Sequence, residues 1–319
     1  MKTFSLALAV CGLALPAAAC DLCAVYNVNA AEGTRNHGFS LSLAEQFTHF
    51  GTLQEDGRKV ANPAHQYLDS FIAQAVLGYT LNDWAAVQLN IPVIAREFRR
   101  PVEGVNERGD ESGLGDISLM GHCTPVRYEK MHTTFHWSVF GGVKFPTGDS
   151  RRLQEEAEEG HEHEGEEEHI ESGIHGHDLA LGSGSFDGVM GTGIYARHRR
   201  GFFIASVQYA IRTCGDFDYE FANDLMWSGG PGVFLVLEES WTAALQFVVS
   251  GEDKGMDEFR GEKAADTGIT SVFVGPQANF TWSDKMSAQV GVDIPVLLNN
   301  TAFQAVPDYR VRGAVTWRF

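Results

Sequence analysis

Two groups of residues in this chain have the types and spacing to do chemistry. The segment EEAEEGHEHEGEEEHIESGIHGHD, residues 155 to 178, holds ten Glu, one Asp and five His with no Lys or Arg. His161 and His163, then His175 and His177, are two H-x-H pairs that an extended chain projects to one side, with His169 between them. Neutral imidazole suits Zn, Cu, Ni and Co, and carboxylates such as Glu162 and Glu164 can complete the shell. The pattern predicts weak, multi-site capture of divalent transition metal, with no cofactor required by the chain itself. A solvated acidic tract is the plain alternative for any Glu-rich run. The second group is CDLC, where Cys20 and Cys23 have the spacing of redox or metal-binding cysteines. Ala24 follows Cys23 where a c-type haem site requires His, so that use is excluded. A disulfide is the default in an oxidising compartment. Lipidation of Cys20 is the competing expectation, although Ala17 stands where such sites usually carry Leu.

What positions these groups follows from the rest of the chain. MKTFSLALAVCGLALPAAAC pairs one Lys with an apolar run, a Pro and small residues, which together read as a signal peptide over residues 1 to 19. After it, no stretch approaches the ~18 uninterrupted apolar residues that a spanning helix needs. Thirty-five Gly and 21 Phe instead suit many short strands. Apolar alternation with a period of two recurs near residues 37–49, 66–81, 84–98, 112–124, 132–145, 185–198, 202–213, 223–237, 241–251, 267–282, 286–297 and 308–319. Short connections such as LND, RRG, EES and SDK alternate with long ones such as GTLQEDGRKVANPAH, RRPVEGVNERGDE and LNNTAFQAVP. That rhythm is the sidedness of bacterial outer-membrane barrels, with short periplasmic turns and long external loops. The expectation is an all-β, transmembrane, up-and-down antiparallel β-barrel of about 12 strands with periplasmic termini. Residues 20–36 form a periplasmic N-terminal segment, 37–319 the barrel, and 150–178 an extracellular loop between the fifth and sixth strands. Hydrophilic and self-repelling, the acidic tract is expected to stay disordered without a ligand. A β-sandwich burying the same faces between two sheets is the alternative fold.

The period separates two faces. Trp241, Ala243, Leu245, Phe247 and Val249 are assigned to lipid, with Thr242, Gln246 and Ser250 to the lumen; Phe135, Trp137, Val139, Val143 and Phe145 also point outward. The inward set that could line a transport path includes Arg96, Asp116, His136, Lys144, Asp293, Arg310 and Arg312. Mixed charge of this kind also cross-links and plugs small barrels. Pro92, Pro276 and Pro295 inside strand patterns imply lost ladder bonds, bulges or openings in the wall. Cys123 and Cys214 fall at opposite barrel ends and are expected not to pair.

Three stretches, ESGLGDISL (Glu111 to Leu119), KFPTGD (Lys144 to Asp149) and LGSGSFDG (Leu181 to Gly188), resemble the signatures of the outer-membrane β-barrel transporter family of the phenol-degradation meta-pathway type. The resemblance implies a channel or transporter with small hydrophobic compounds as cargo. The terminal Phe319 resembles the C-terminal signature read by the outer-membrane assembly machinery, which with outer-membrane lipid would be a partner. Turn and cap roles account for the Gly and Asp residues of these stretches on local grounds. No motif sets a nucleophile beside a base, so a phospholipase-like enzyme is disfavoured and no enzyme is expected. A net charge of -18 argues against nucleic acid as a partner. The cargo is thus expected to be a small molecule or a metal ion. The rival reading is a surface-exposed metal-binding or sequestration protein on a plugged barrel.

Overall fold

The computed structural model describes residues 38–102, 104–156 and 171–319. The signal peptide, Cys20, Cys23, His161, Glu162, His163, Glu164 and His169 lie outside the described residues. Period-two alternation is realised as twelve spanning strands: β1 (Gly38–Glu55), β2 (Tyr67–Asn82), β3 (Ala85–Val102), β4 in two segments (Val105–Leu114 and Ser118–Lys130), β5 (Thr133–Lys144), β6 (Asp187–His198), β7 (Gly201–Ile211), β8 (Asp224–Leu237), β9 (Trp241–Lys254), β10 (Ile269–Trp282), β11 (Met286–Asn300) and β12 (Phe303–Arg318). Each pairs antiparallel with its neighbours in sequence, and β12 pairs with β1 from Ser40–Arg318 to Glu55–Phe303, which closes the sheet. Closure removes the sheet edges, the condition for a sheet to stand in hydrocarbon. Among the described residues no helix is long and apolar enough to cross a membrane.

The two faces follow the predicted alternation. Leu245 and Phe247 on β9 are 48% and 51% exposed, while the intervening Gln246 is 6% exposed. On β5, Trp137 and Val143 face outward and His136, Ser138 and Lys144 are buried inside. Exposed Phe39, Tyr79, Trp84, Trp241, Trp282 and Trp317 gather at the end that carries the tight turns and the C-terminus, forming the aromatic girdle of the periplasmic interface. A closed barrel with an apolar outside and a polar inside is an outer-membrane protein.

Two expected long loops turn out to be ladder. Over RRPVEGVNERGDE, pairing of β3 with β4 continues from Val93–Leu114 to Val102–Val105. LNNTAFQAVP shrinks to a turn at Thr301–Ala302 between β11 and β12. Both extensions rise beyond the lipid, where no face need be apolar, so the alternation that marks a strand fades while the ladder continues.

The prolines shape the wall. Pro92 stands in register with Gln74 of β2 and, lacking an N–H, cannot continue the ladder to β4. Opposite it β4 breaks at Gly115–Ile117, Gly115 donating to the Pro92 carbonyl at 2.9 Å and Ile117 accepting from Phe145 at 2.8 Å. Pro295 sits at a bulge against Phe273 of β10. Just below it, the β11–β12 ladder runs from Met286–Trp317 only to Asp293–Arg310. Above that point Ile294–Asn300 stays paired with β10 and Phe303–Tyr309 with β1, so the two strands part within the wall.

Candidate functional site in the barrel lumen

The three signature stretches converge on one knot at the break in β4. Lys144 Nζ lies 2.8 Å from Asp116 Oδ2, 2.7 Å from Asp187 Oδ2 and 2.6 Å from Ser183 Oγ. Asp116 also accepts from the backbone N–H groups of Gly148 at 3.0 Å and Ser183 at 2.9 Å, and Arg212 completes the pairing of Asp187 at 2.7 Å. A Cβ on Gly148 would stand 2.7 Å from the Cα of Gly182, so two backbones touch where only glycine fits. Thr147 Oγ1 bridges the break itself, donating to the Gly115 carbonyl and accepting from the Ile117 N–H. Buried carboxylates this well paired are tolerated because nearly every lone pair has a donor. The knot turns the chain after β5 back into the lumen and returns it at β6. These Gly and Asp residues thus have structural roles, but through long-range ion pairs and backbone contact instead of the local turns and caps expected of them.

The returning segment is a plug. Arg96 Nη1 donates to the carbonyls of Asp178 and, at 3.1 Å, Ala180. Arg100 Nη2 reaches Glu155 at 2.7 Å, its Nε reaches Glu107 at 2.9 Å, and Arg152 Nε bonds Glu111 at 2.8 Å. Gln66 donates to the Glu171 carbonyl and accepts from the Gly173 N–H, each at 2.9 Å. Between these polar ties, Ile174 and Leu179 pack into a buried cluster with Phe50, Leu68 and Phe98. The Gly173 carbonyl accepts from Ala305 N–H at 2.7 Å, on β12 where that strand has left β11. The expectation of a disordered external tract is thus corrected at both of its described ends. Glu155–Glu156 and Glu171–Asp178 are folded within the barrel mouth, because lumen arginines far away in sequence neutralise their charge and an apolar pair anchors them.

His175 and His177 are brought together, by a helix start instead of the expected extended chain. His175 is the N-cap of the one-turn helix Gly176–Leu179, its N–H bonded to Asp178 Oδ2 at 3.0 Å. The two rings stack at 5.6 Å. His177 Nδ1 is 3.0 Å from Glu156 Oε1, and His175 Nδ1 is 3.0 Å from Asp266 Oδ2 on the loop between β9 and β10. The latter approach lacks hydrogen-bond geometry, leaving a buried ring nitrogen unsatisfied. Burial alone would lower the His177 imidazolium pKa, but the carboxylates of Asp178, Glu156 and Asp266 outweigh it and hold it well above the usual value. Burial likewise works against His175, and Asp266 raises it. Burial would raise the Asp266 and Glu156 carboxyls, and the neighbouring imidazoles instead hold both below their usual range.

The remaining inward residues form separate groups. His136 is paired with Glu129 at 2.9 Å near the periplasmic turn. Arg312 grips Asp293 with two bonds, at 2.6 and 2.9 Å, at the foot of the split between β11 and β12. Arg310 lies 4.3 Å from the centre of the Phe273 ring. All seven predicted lumen residues are inside, but they do not make one continuous lining: Arg96 holds the plug, Asp116 and Lys144 the knot, and Asp293 and Arg312 the seam. Sequence reading missed Arg100, Gln66, Asp266 and Arg212. Arg96, Phe98 and Arg100 alternate inward at the outer end of β3, a run of basic and aromatic side chains that calls for an anionic occupant. Cys123 and Cys214 are free, as expected.

No family model matches the chain, and no curated protein matches it in sequence. Among solved structures, the COG4313 outer membrane channel from Pseudomonas putida F1 is similar over 90% of this chain and 97% of its own, at 14% identity and a TM-score of 0.56. The beta domain of the Bordetella autotransporter BrkA covers 89% of this chain and 100% of its own, at 6% identity and a TM-score of 0.46. At 14% identity the likeness to the Pseudomonas putida channel is one of fold alone, that of an outer-membrane barrel.

Proposed function

We propose that the chain is a plugged outer-membrane channel for small molecules, with apolar cargo reaching the bilayer through the split between β11 and β12. The observation that carries this reading is the seam. Ile294, Val296 and Leu297 lie at its edge, exposed to the lipid side, and the strand across from them is hydrogen-bonded to the plug through Ala305 and Gly173. A gap in the ladder beside a loop that can withdraw couples the lumen to the membrane interior. The resemblance of the knot stretches to phenol-degradation meta-pathway transporters, and the name of the Pseudomonas putida channel, agree with such a role. Metal capture by the Glu/His-rich tract is a finer part of the same reading.

The test joins conductance with a locked seam. Continuing the register of Asp293–Arg310 by one step sets Ile294 opposite Tyr309. In a Cys123→Ser, Cys214→Ser background, an oxidised Ile294→Cys, Tyr309→Cys pair should abolish entry of small apolar compounds into vesicles. Single-channel steps for ions should be unchanged, and reduction should restore entry. Replacement of residues 151–180 by a short Gly/Ser linker should enlarge those steps several-fold. Apolar uptake that ignores the oxidised pair would sink the lateral route, and the lack of any conductance in both the intact and the unplugged protein would leave the barrel as a platform only.

A further inference from the structure

We propose that His175, His177 and Asp266 form a defined site for one divalent transition-metal ion of the zinc class, and that the ion latches the plug to the β9–β10 loop. The inference rests on the reading of the described residues 149–156 and 171–187 as a plug and narrows the diffuse metal capture suggested by the acidic tract to one place. The ligating atoms of His175, His177 and Asp266 all lie within 4.8 Å of one another. A tetrahedral ion with bonds of about 2.0–2.1 Å needs its donors roughly 3.4 Å apart, so the widest pair must close by at most about 1.4 Å, shared between two side chains. Two imidazoles with one carboxylate are a borderline donor set that suits Zn, Co or Ni and disfavours Ca and Mg, which demand oxygen cages.

A second observation points to a ligand. His175 Nδ1 is buried and 3.0 Å from Asp266 Oδ2, yet it has no partner in good hydrogen-bond geometry, so a ring nitrogen and a carboxylate sit side by side with ligating capacity unused. The orientation of the cluster is also fixed in advance. The His175 N–H is tied to Asp178, and the His177 N–H to Glu156 at 2.8 Å, so the backbone holds both rings before any ion arrives. Two of the donors belong to the outgoing half of the plug and one to the barrel's external loops, while Glu156 of the incoming half holds His177. An ion shared among them would close a ring that crosses the plug and the wall. Gly173, which bonds to the split seam, is two residues from His175, so the latch acts where the plug meets the proposed exit.

The experiment uses the full folded barrel in detergent, with Zn²⁺ as the probe and heat-modifiable gel mobility as the check on folding. Isothermal titration should show one tight equivalent. A His175→Ala, His177→Ala variant should weaken it by at least ~100-fold, since loss of even an outer-shell partner costs 10–100-fold. Asp266→Asn, which keeps the shape of the cluster, should weaken it by at least tenfold. A His161→Ala, His163→Ala, His169→Ala variant should retain it. In hydrogen exchange, Zn²⁺ should slow the amides of residues 171–180 at least tenfold in the parent and in the three-His variant, and have no effect in the two-His variant. The proposal is overturned if the tight site follows the three-His variant, if no tight site exists, or if bound Zn²⁺ leaves the plug amides unaltered. None of these readouts requires current, so a barrel that binds the ion but never conducts would refute the channel while leaving the latch in place.

Discussion

The facing of β9 makes the most quantitative prediction. Leu245 lies four residues above Trp241, which stands in the periplasmic girdle. With a strand rise of about 3.4 Å and a tilt of ~40°, four residues climb roughly 10 Å, close to the midplane of an apolar band ~25 Å tall. Leu245→Arg therefore sets a guanidinium in mid-bilayer, against Ala278 and Val233 on the neighbouring strands, at a cost of about 2–4 kcal/mol. At ~1.4 kcal/mol per tenfold change, the folding equilibrium should fall about 30- to 1,000-fold. The same change at Gln246, one residue on, enters the polar lumen. There it removes the bond from Nε2 to the Gly230 carbonyl at 3.2 Å, worth about 1 kcal/mol. Urea-driven unfolding equilibria in lipid vesicles, followed by the tryptophans, measure both. Equal costs at the two positions, or a larger one at Gln246, would refute the facing and with it the lipid boundary drawn here.

Two further outcomes concern the seam and the plug. Asp293→Asn neutralises one partner of a buried bidentate pair at the foot of the split, so Arg312 loses the counter-charge it grips with two bonds. Stability in the same urea assay should drop by about 3 kcal/mol, the low end for a broken buried pair because Arg312 keeps some solvent access, and leakage of apolar dyes should rise. Gly173→Val forces a Cβ to within 2.8 Å of Leu53 Cδ2 and 3.0 Å of the Ala305 nitrogen. It should undock the plug without unfolding the barrel, seen as larger and noisier single-channel steps at unchanged heat-modifiability.

The sequence made the membrane-spanning half of the fold legible because lipid imposes one rule on every strand. Trp241 to Val249 must alternate, and a register error would have put Gln246 in hydrocarbon. Above the bilayer the rule lapses, which is why the paired stretch from Val93–Leu114 to Val102–Val105 read as loop. The plug was illegible for a different reason. Whether Glu155 and Asp178 meet solvent or protein depends on Arg100 and Arg96, more than fifty residues away and unremarkable alone. Asp266, in turn, sits on a loop with no sequence relation to His175, and only the closed barrel brings that loop over the mouth. The signature glycines could be recognised as special, but not as partners: the contact of Gly148 with Gly182 is a tertiary fact with no local signal.

The unequal ladders on either side of β12 bear on how the chain is threaded into the membrane. The C-terminal strand shares its whole length with β1, from Ser40–Arg318 to Glu55–Phe303, but only its lower half with β11, the strand made just before it. A nascent chain that has folded β11 and β12 as a hairpin has therefore satisfied half of the last strand, and its upper residues have no backbone partner until the N-terminal strand arrives. Backbone groups left unpaired there, at the rim of the bilayer and against the plug, are costly, so the final hairpin is incomplete as an assembly unit, and completion of the upper wall must wait for the two ends of the chain to meet. A circular permutant opened in the turn at Thr301–Ala302, with β12 leading and the old termini joined by a linker, would synthesise the fully paired strands in succession. By that measure β12 is the first strand of this barrel, and the order of the gene conceals it.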